Sequence, residues 1–444
     1  MDGDEDKRRY DKRPCKDRSK LRSHVMLATC EEKRRKQIHC EQQIIHGMSH
    51  TTFLIPLSDD PLILHSTPHW PNTMWRLLTR TAPSFLILLY GTTILRDNAA
   101  RTAHPQPRSS LSSTRCSPAA YACLAAVLRA VREALATSSS SAAPIDPALV
   151  TTVAGLAAAA SSIGNWSAAA AHWRAATALL ARRPGGWDGL ERFERRALAW
   201  CEFPLCAGAG TAPGLGGGAE VEAGVRGLSR GFLEAVQGRV EGMVERLGGR
   251  VRGTEVGEVV GRVWVVVVAG EGEWRGGVER EVVAAVLDQA ERRLLVELVR
   301  VREEEEGVGV YAAVAQAVQI FLWGALGPMP IRFVMSGLFS VRLREALGEG
   351  NMVGMWEEEA TLEALLWVLV MGYITADERT ADWYEEKLMV VMRRLDIRSE
   401  EQLVSTLQDF LWTDKLCREA CRKLWASVET HQSLAGVLRG CFLF

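Results

Sequence analysis

Apolar residues recur at helical spacing through most of the chain after residue 83. In 278 to 299, Val278, Val282, Val286, Leu294 and Leu298 fall on one side, with Arg292, Arg293 and Glu297 turned away. That pattern predicts an amphipathic helix packed on a core. Segment 361 to 374 is apolar nearly all round, through Leu362, Leu365, Leu366, Trp367, Leu369, Val370 and Tyr373, and predicts a central buried helix. Ser399-Glu-Glu-Gln402 has the capping-box pattern, in which the serine hydroxyl accepts from the backbone and the glutamine reaches back. The helix it starts buries Leu403, Leu407, Phe410 and Leu411, and a last helix from about Asp414 presents Leu416, Ala420, Leu424 and Val428. The one strand-like stretch, Val260 to Val268, also fits a buried helix following Glu255-Val-Gly-Glu258. The expected fold is all-α, an irregular multi-helix body.

Breaks in this pattern divide the chain. Residues 1–50 are polar and charged, and a helix from about Ser19 to Ile45 would have no wide apolar face. Such a segment forms a basic arm able to stay disordered until it binds something. Prolines at 56, 61, 68 and 71 forbid a long helix, which makes 51–82 a linker. The helical body, 83–444, is interrupted by loops expected at 104–117, 137–144 and 207–218, and 207–260 reads as a low-complexity insertion rich in Gly, Val, Arg and Glu.

Composition narrows the class. With 444 residues, 47 % of them apolar and 24 % charged, the chain suits two or three ordinary domains or one large helical one, and disfavours collagen, coiled coil or disorder throughout. Charge is uneven. Residues 7 to 36 hold thirteen Lys and Arg against Asp11, Asp17, Glu31 and Glu32, a local charge of +9, so a polyanion would meet this arm first although the whole chain carries −1. Ten thinly spread cysteines and an opening Met1-Asp-Gly-Asp-Glu-Asp6, unlike a secretory leader, predict a reducing compartment. The longest apolar runs, Phe85 to Leu95, Val263 to Ala269 and Leu362 to Ile374, fall short of the ~20 residues that span a bilayer, so no membrane partner is expected.

Few motifs carry chemistry. No GxxxxGK[ST] loop, GxSxG elbow or HExxH pair occurs, and Gly214-Leu-Gly216-Gly-Gly-Ala219 matches GxGxxA only formally because no strand precedes it. Cys30, Cys40, His46 and His50 could supply four zinc ligands, yet the chain has no CxxC knuckle. Glu303 to Glu306 and Glu357 to Glu359 read as solvated faces, Cys417 and Cys421 as buried thiols, and the tryptophans as packing residues. His172 stands nearly alone in the helical body. No catalytic residue, metal or cofactor is therefore expected. Lys33, Arg34, Arg35 and Lys36 form a cluster of the nuclear-localisation kind, and such cations can also neutralise phosphates and release counterions.

Residues 147 to 203 carry an ordered set of features. A small-residue helix (Val150 to Ala160) is followed by a Gly164-Asn165-Trp166 turn, then Ala171-His172, an Arg183-Pro-Gly-Gly186 turn, and a helix ending Leu198-Ala-Trp200. Further on come Leu362 to Gly372, Asp382-Trp383-Tyr384, Phe410 to Asp414 and Cys417 to Trp425. Taken in order, these resemble the fungus-specific transcription factor domain, a helical regulatory region. Leu21-Arg22-Ser23-His24-Val25-Met26, followed by Lys33-Arg34-Arg35, is similar to a stretch in the subgroup mislabelled tachykinin family. The resemblance implies a nuclear regulator of transcription, shuttling included, with Arg22, His24 and Lys33 to Lys36 as candidates for DNA contact or for the import machinery. It departs from the family in two places. The six-cysteine zinc cluster that reads DNA in typical members is absent, and Cys201, followed by Glu202, stands where an aspartate is usual. A non-DNA-binding adaptor of the same fold, acting through a protein partner or as a homo-oligomer, is the alternative.

Overall fold

Capping chemistry sets where many of the helices begin. In this computed structural model, residues 80–103, 116–139, 144–215, 228–248, 251–271, 274, 277–304, 309–326, 334–348, 350, 352–377 and 380–441 are described. They hold fifteen α-helices and no strand, so the all-α expectation holds. Asp146 caps α3 (Pro147–Ser162) by accepting from the Ala148 N–H, with Pro147 in the first turn where its missing N–H leaves no gap. Asn165 caps α4 (Trp166–Ala181) through the Ala168 N–H. Glu191 and Glu194 exchange backbone and side-chain bonds at the start of α5 (Arg192–Ala209).

The first core gathers α1 (Ala82–Ala103), α2 (Pro118–Ser139), α3, α4 and one face of α5. Alanines make it tight. Buried Ala148 meets Ala197, and Ala160 meets Ala169 and Leu205, so α4 and α5 lie close on α3 with little side chain between them. On the remaining side of α3, Ser84 of α1 bonds the Ala148 carbonyl at 3.4 Å and the Thr152 hydroxyl at 3.1 Å.

The second core is larger. It takes another face of α5, then α6 (Arg230–Arg246), α7 (Glu255–Ala269), α8 (Arg280–Glu303), α9 (Val310–Phe321) with a π-turn at Leu322–Leu326, α10 (Val334–Leu347) and α11 (Met352–Glu359). Completing it are α12 (Leu362–Thr375), α13 (Ala381–Arg394), α14 (Glu400–Leu407) and α15 (Glu419–Cys441), the last entered through a π-turn at Asp414–Arg418. Helix α12 sits in the middle: Leu365 to Leu369 are fully buried, and α9, α10, α11, α13, α14 and α15 all pack on it. Trp367 stacks on Phe410 with ring centroids 5.8 Å apart and donates its indole N–H to the Leu411 carbonyl at 3.1 Å. Val260 to Val268 belong to buried α7, as a helix and not a strand. Ser399 caps α14 through the Gln402 N–H at 3.2 Å, while the Gln402 side-chain Oε1 accepts from the backbone N–H of Arg398, one residue before the serine, at 2.7 Å.

Three expectations need correction. The helix expected to end at Trp200 runs on to Ala209, through Pro204 and across residues expected to be loop. Loop was also expected from 137, but α2 continues to Ser139. Arg292 and Glu297, placed on the outer face of their helix by periodicity, are drawn inward: Glu297 is buried under the Tyr311 hydroxyl at 2.5 Å, and Arg292 reaches a buried carboxylate of α5.

Candidate functional site

Helix α5 belongs to both cores: Leu198 packs into the first, and Phe203, Cys206 and Ala207 into the second. Helix α3 packs on it most extensively; α8 also runs beside it, and the contacts with α8 advance in step. Arg192 donates to the Glu281 carbonyl at 3.4 Å, Trp200 to the Asp288 carboxylate at 2.9 Å, and near the far end Arg302 donates to the Gly210 carbonyl at 3.4 Å. Helices α5 and α8 are therefore parallel, a relation that requires a long crossover, here α6 and α7.

Several charged side chains meet in the seam between them. Asp288 pairs with Arg196 at 2.9 Å, and the Arg196 guanidinium lies 5.2 Å from the Trp200 ring centroid. Glu202, 1 % exposed, accepts the backbone N–H groups of Gly214 at 2.7 Å and Leu215 at 3.1 Å, and faces Arg292 at 3.7 Å. Arg292 in turn lies 5.5 Å from the Phe203 ring. These two bonds also settle what the Gly214 end of the glycine-rich stretch does: it folds back onto its own helix.

Burial pushes the Glu202 carboxyl up, and the two N–H groups and Arg292 hold it back. Asp288 shows the same opposition, with burial raising it and Arg196, Trp200 and Arg292 lowering it. Glu291, half-buried one turn beyond Asp288, is pushed up to about 8 by desolvation and by the neighbouring Asp288 charge, against the pull of Arg292 and the Trp323 indole. The cluster thus sets two guanidiniums against three carboxyls, and burial favours the protonated form of each.

The C-terminal end of α5 is closed from two sides. Arg342 of α10 donates to the carbonyls of Ala207 and, at 2.8 Å, Gly208, placing a cation where the helix leaves carbonyls unpaired. Desolvation and the Arg302 charge lower Arg342 to about 10. From the other side the Trp166 ring lies so close that a Cβ on Gly208 would stand 2.0 Å from it, so glycine is required there.

The arrangement holds charge and protons in place, and its carboxylates are engaged by neighbours. Cys201 and Cys206, flanking Glu202, are pushed up to about 12 by burial, which leaves them thiols. Cys417 and Cys421 are buried and free as expected, and burial raises both. His172 is half-buried on α4, its proton affinity lowered by desolvation. Glu303, Glu304, Glu357 and Glu358 are exposed, and Glu357 meets Arg394 at 3.3 Å.

Arg22, His24, Lys33, Arg34, Arg35 and Lys36 lie outside the described residues, as do Cys30, Cys40, His46 and His50. Periodicity did not point to Arg196, Glu202, Asp288, Glu291 or Arg292 as a group. The available signal was weak: Arg196 borders and Glu202 interrupts an otherwise apolar Ala197 to Leu205 run, and Asp288, Glu291 and Arg292 interrupt the later helix. No cluster of His, Cys, Asp and Glu suited to a metal ion occurs among the described residues, and no helix among them is long and apolar enough to cross a membrane. No protein-family model, curated protein or solved structure matches the chain.

Proposed function

We propose that the chain is a transcriptional regulator of the fungus-specific type: a helical body, 83–444, that senses or assembles, and a basic arm, 1–50, that directs nuclear entry and reaches DNA phosphates. One observation carries the reading. The segments whose order resembles the family, 147 to 203 and 362 to 425, are runs of consecutive helices, α3 to α5 and α12 to α15. The +9 charge of residues 7 to 36 supports a role for the arm with a polyanion or with import machinery. On this reading the body is not an enzyme: the Asp288 and Glu202 carboxylates are occupied by Arg196, Trp200 and backbone N–H groups, and the nearby thiols stay protonated.

The missing CxxC pairs favour a second reading, in which the same fold works as an adaptor without touching DNA. Binding of the full chain and of a 51–444 truncation to pooled genomic duplex fragments at two salt concentrations separates the two. Selection of particular fragments by the full chain alone supports the regulator with a DNA-reading arm. Unselective binding that moderate salt abolishes is what bare phosphate neutralisation gives, and it moves the function to protein partners. A fluorescent fusion that stays cytoplasmic under all conditions and occupies no chromatin would overturn the nuclear role.

A further inference from the structure

Two arginines from different helices converge on the last turn of α5. Arg342 of α10 holds the Ala207 and Gly208 carbonyls, and Arg302, near the end of α8, donates Nη1 to the Gly210 carbonyl at 3.4 Å. Gly210, at φ 71°, makes the second approach possible: a Cβ there would collide with Arg302 Nη1 and stand 3.0 Å from its Cζ. The two guanidiniums are close enough for the charge of Arg302 to weigh against that of Arg342. A helix end supplies about half a negative charge, which leaves most of this pair of cations unbalanced. Among the described residues neither guanidinium forms an ion pair. Glu304 is paired with Arg300 instead, Glu303 is exposed, and Glu345, one turn along α10 from Arg342, is exposed and acts on it from beyond ion-pair distance. Arg342 uses two of its five N–H groups on carbonyls and Arg302 uses one, so donors remain on both.

We propose that Arg302 and Arg342 form a phosphate site where α8 and α10 meet the end of α5, taking the phosphate group of a free ion or of a small phosphate ester. A tetrahedral dianion carries two charges and has oxygens in more than one plane. It can therefore meet two guanidiniums that arrive from different helices, whereas a carboxylate fills a single fork. Arg302 is exposed and Arg342 half-buried, so the anion enters from solvent on the Arg302 side. Once bound it offsets the repulsion between the arginines and ties α8 and α10 to the end of α5. The inference does not depend on the proposed role in transcription or on the basic arm.

Calorimetric titration of the full chain with inorganic phosphate and with glycerol 3-phosphate, at neutral pH and constant ionic strength, tests it. The wild type should show a saturable site for at least one of the two, and Arg302→Gln should weaken it by at least about tenfold, the loss expected for one charge-assisted bond. Arg302→Lys, which keeps the charge without the fork, should fall between them. Tighter binding of the free ion or of the ester identifies the source of the group, and either supports the site. Absence of saturable binding in the wild type would overturn the proposal. So would equal affinity in the wild type and Arg302→Gln, which is what phosphate held by the basic arm, or an Arg302 that only closes the end of α5, would give. Should Arg302→Gln fail to fold, Arg302→Lys serves, and an affinity equal to wild type in that variant sinks the site.

Discussion

Gly372 and Tyr384 meet at a distance only glycine permits: a Cβ on Gly372 would lie 2.1 Å from Tyr384 Cε1. Tyr384 cannot retreat, being fully buried with its hydroxyl donating to the Ser340 carbonyl at 2.7 Å. Glycine thus lets α12 and α13 approach closely enough to tie α10 to both. Gly372→Ala is expected to destabilise the body by about 2–4 kcal/mol through overpacking, at or above the usual range because both neighbours are fixed. Tyr384→Phe, which loses only the hydroxyl bond, should cost about 1 kcal/mol. Denaturant unfolding of the two variants checks the order.

Arg342 spans from α10 to the end of α5, and its fork bonds two successive carbonyls. Arg342→Ala should cost about 2–3 kcal/mol, since it leaves buried carbonyls without a charged donor. Arg342→Lys should recover less than half of that, because an ammonium cannot reproduce two parallel bonds. Thermal unfolding of the three proteins at one pH decides it.

Glu291 gives a sign for the effect of pH on global stability. Its folded value, about 8, lies above its ordinary value of 4.5, so the folded chain binds the extra proton between these limits. The associated stability is complete below about pH 4.5, falls as pH rises, and is lost by about pH 8. Glu291→Gln should therefore be more stable than wild type at pH 8 by about 1–2 kcal/mol, less than the full ~1.4 kcal/mol per unit because the side chain keeps part of its surface in water. The advantage should shrink toward pH 5 in urea titrations, and a constant offset at all pH values would contradict the assignment.

Cys201, Cys206 and Cys421 have thiols pushed up to about 12, and Cys417 is raised further. Their thiolate population at neutral pH should lie on the order of a thousandfold below that of a free cysteine. Labelling with a soluble alkylating reagent, followed by peptide mass spectrometry, should leave these four unmodified in the native protein and modify them in denaturant.

Where burial follows from a helix's own pattern, the sequence was a sufficient guide. Leu362 to Ile374, apolar on every side, could only be central, and Ser399 with Gln402 marked a helix start within one residue. Periodicity failed where a charged residue finds its partner far along the chain. Arg292 was assigned to solvent because it falls off the apolar stripe of its helix, and its buried partner, Glu202, lies on another helix. Pro204 and Gly208 misled for a related reason: both are poor helix formers, yet α5 continues through them because packing against two cores outweighs the local preference, and Trp166 needs the space that Gly208 leaves. The polar seam was therefore illegible, although each of its residues stands in plain view in the sequence.

The parallel pairing of α5 with α8 has a consequence during synthesis. Bonds that close the seam join residues 88 to 92 positions apart. At about 5–20 residues per second, a ribosome needs roughly 5–18 s to deliver α8 after α5 has emerged. Throughout that interval the first bundle ends in a helix whose Phe203, Cys206 and Ala207 face water and whose Glu202 and Arg196 lack their counter-charges. The nascent chain must wait with an adhesive edge exposed, which makes this stage the natural point for chaperone engagement and the one at which slowed translation would do most harm.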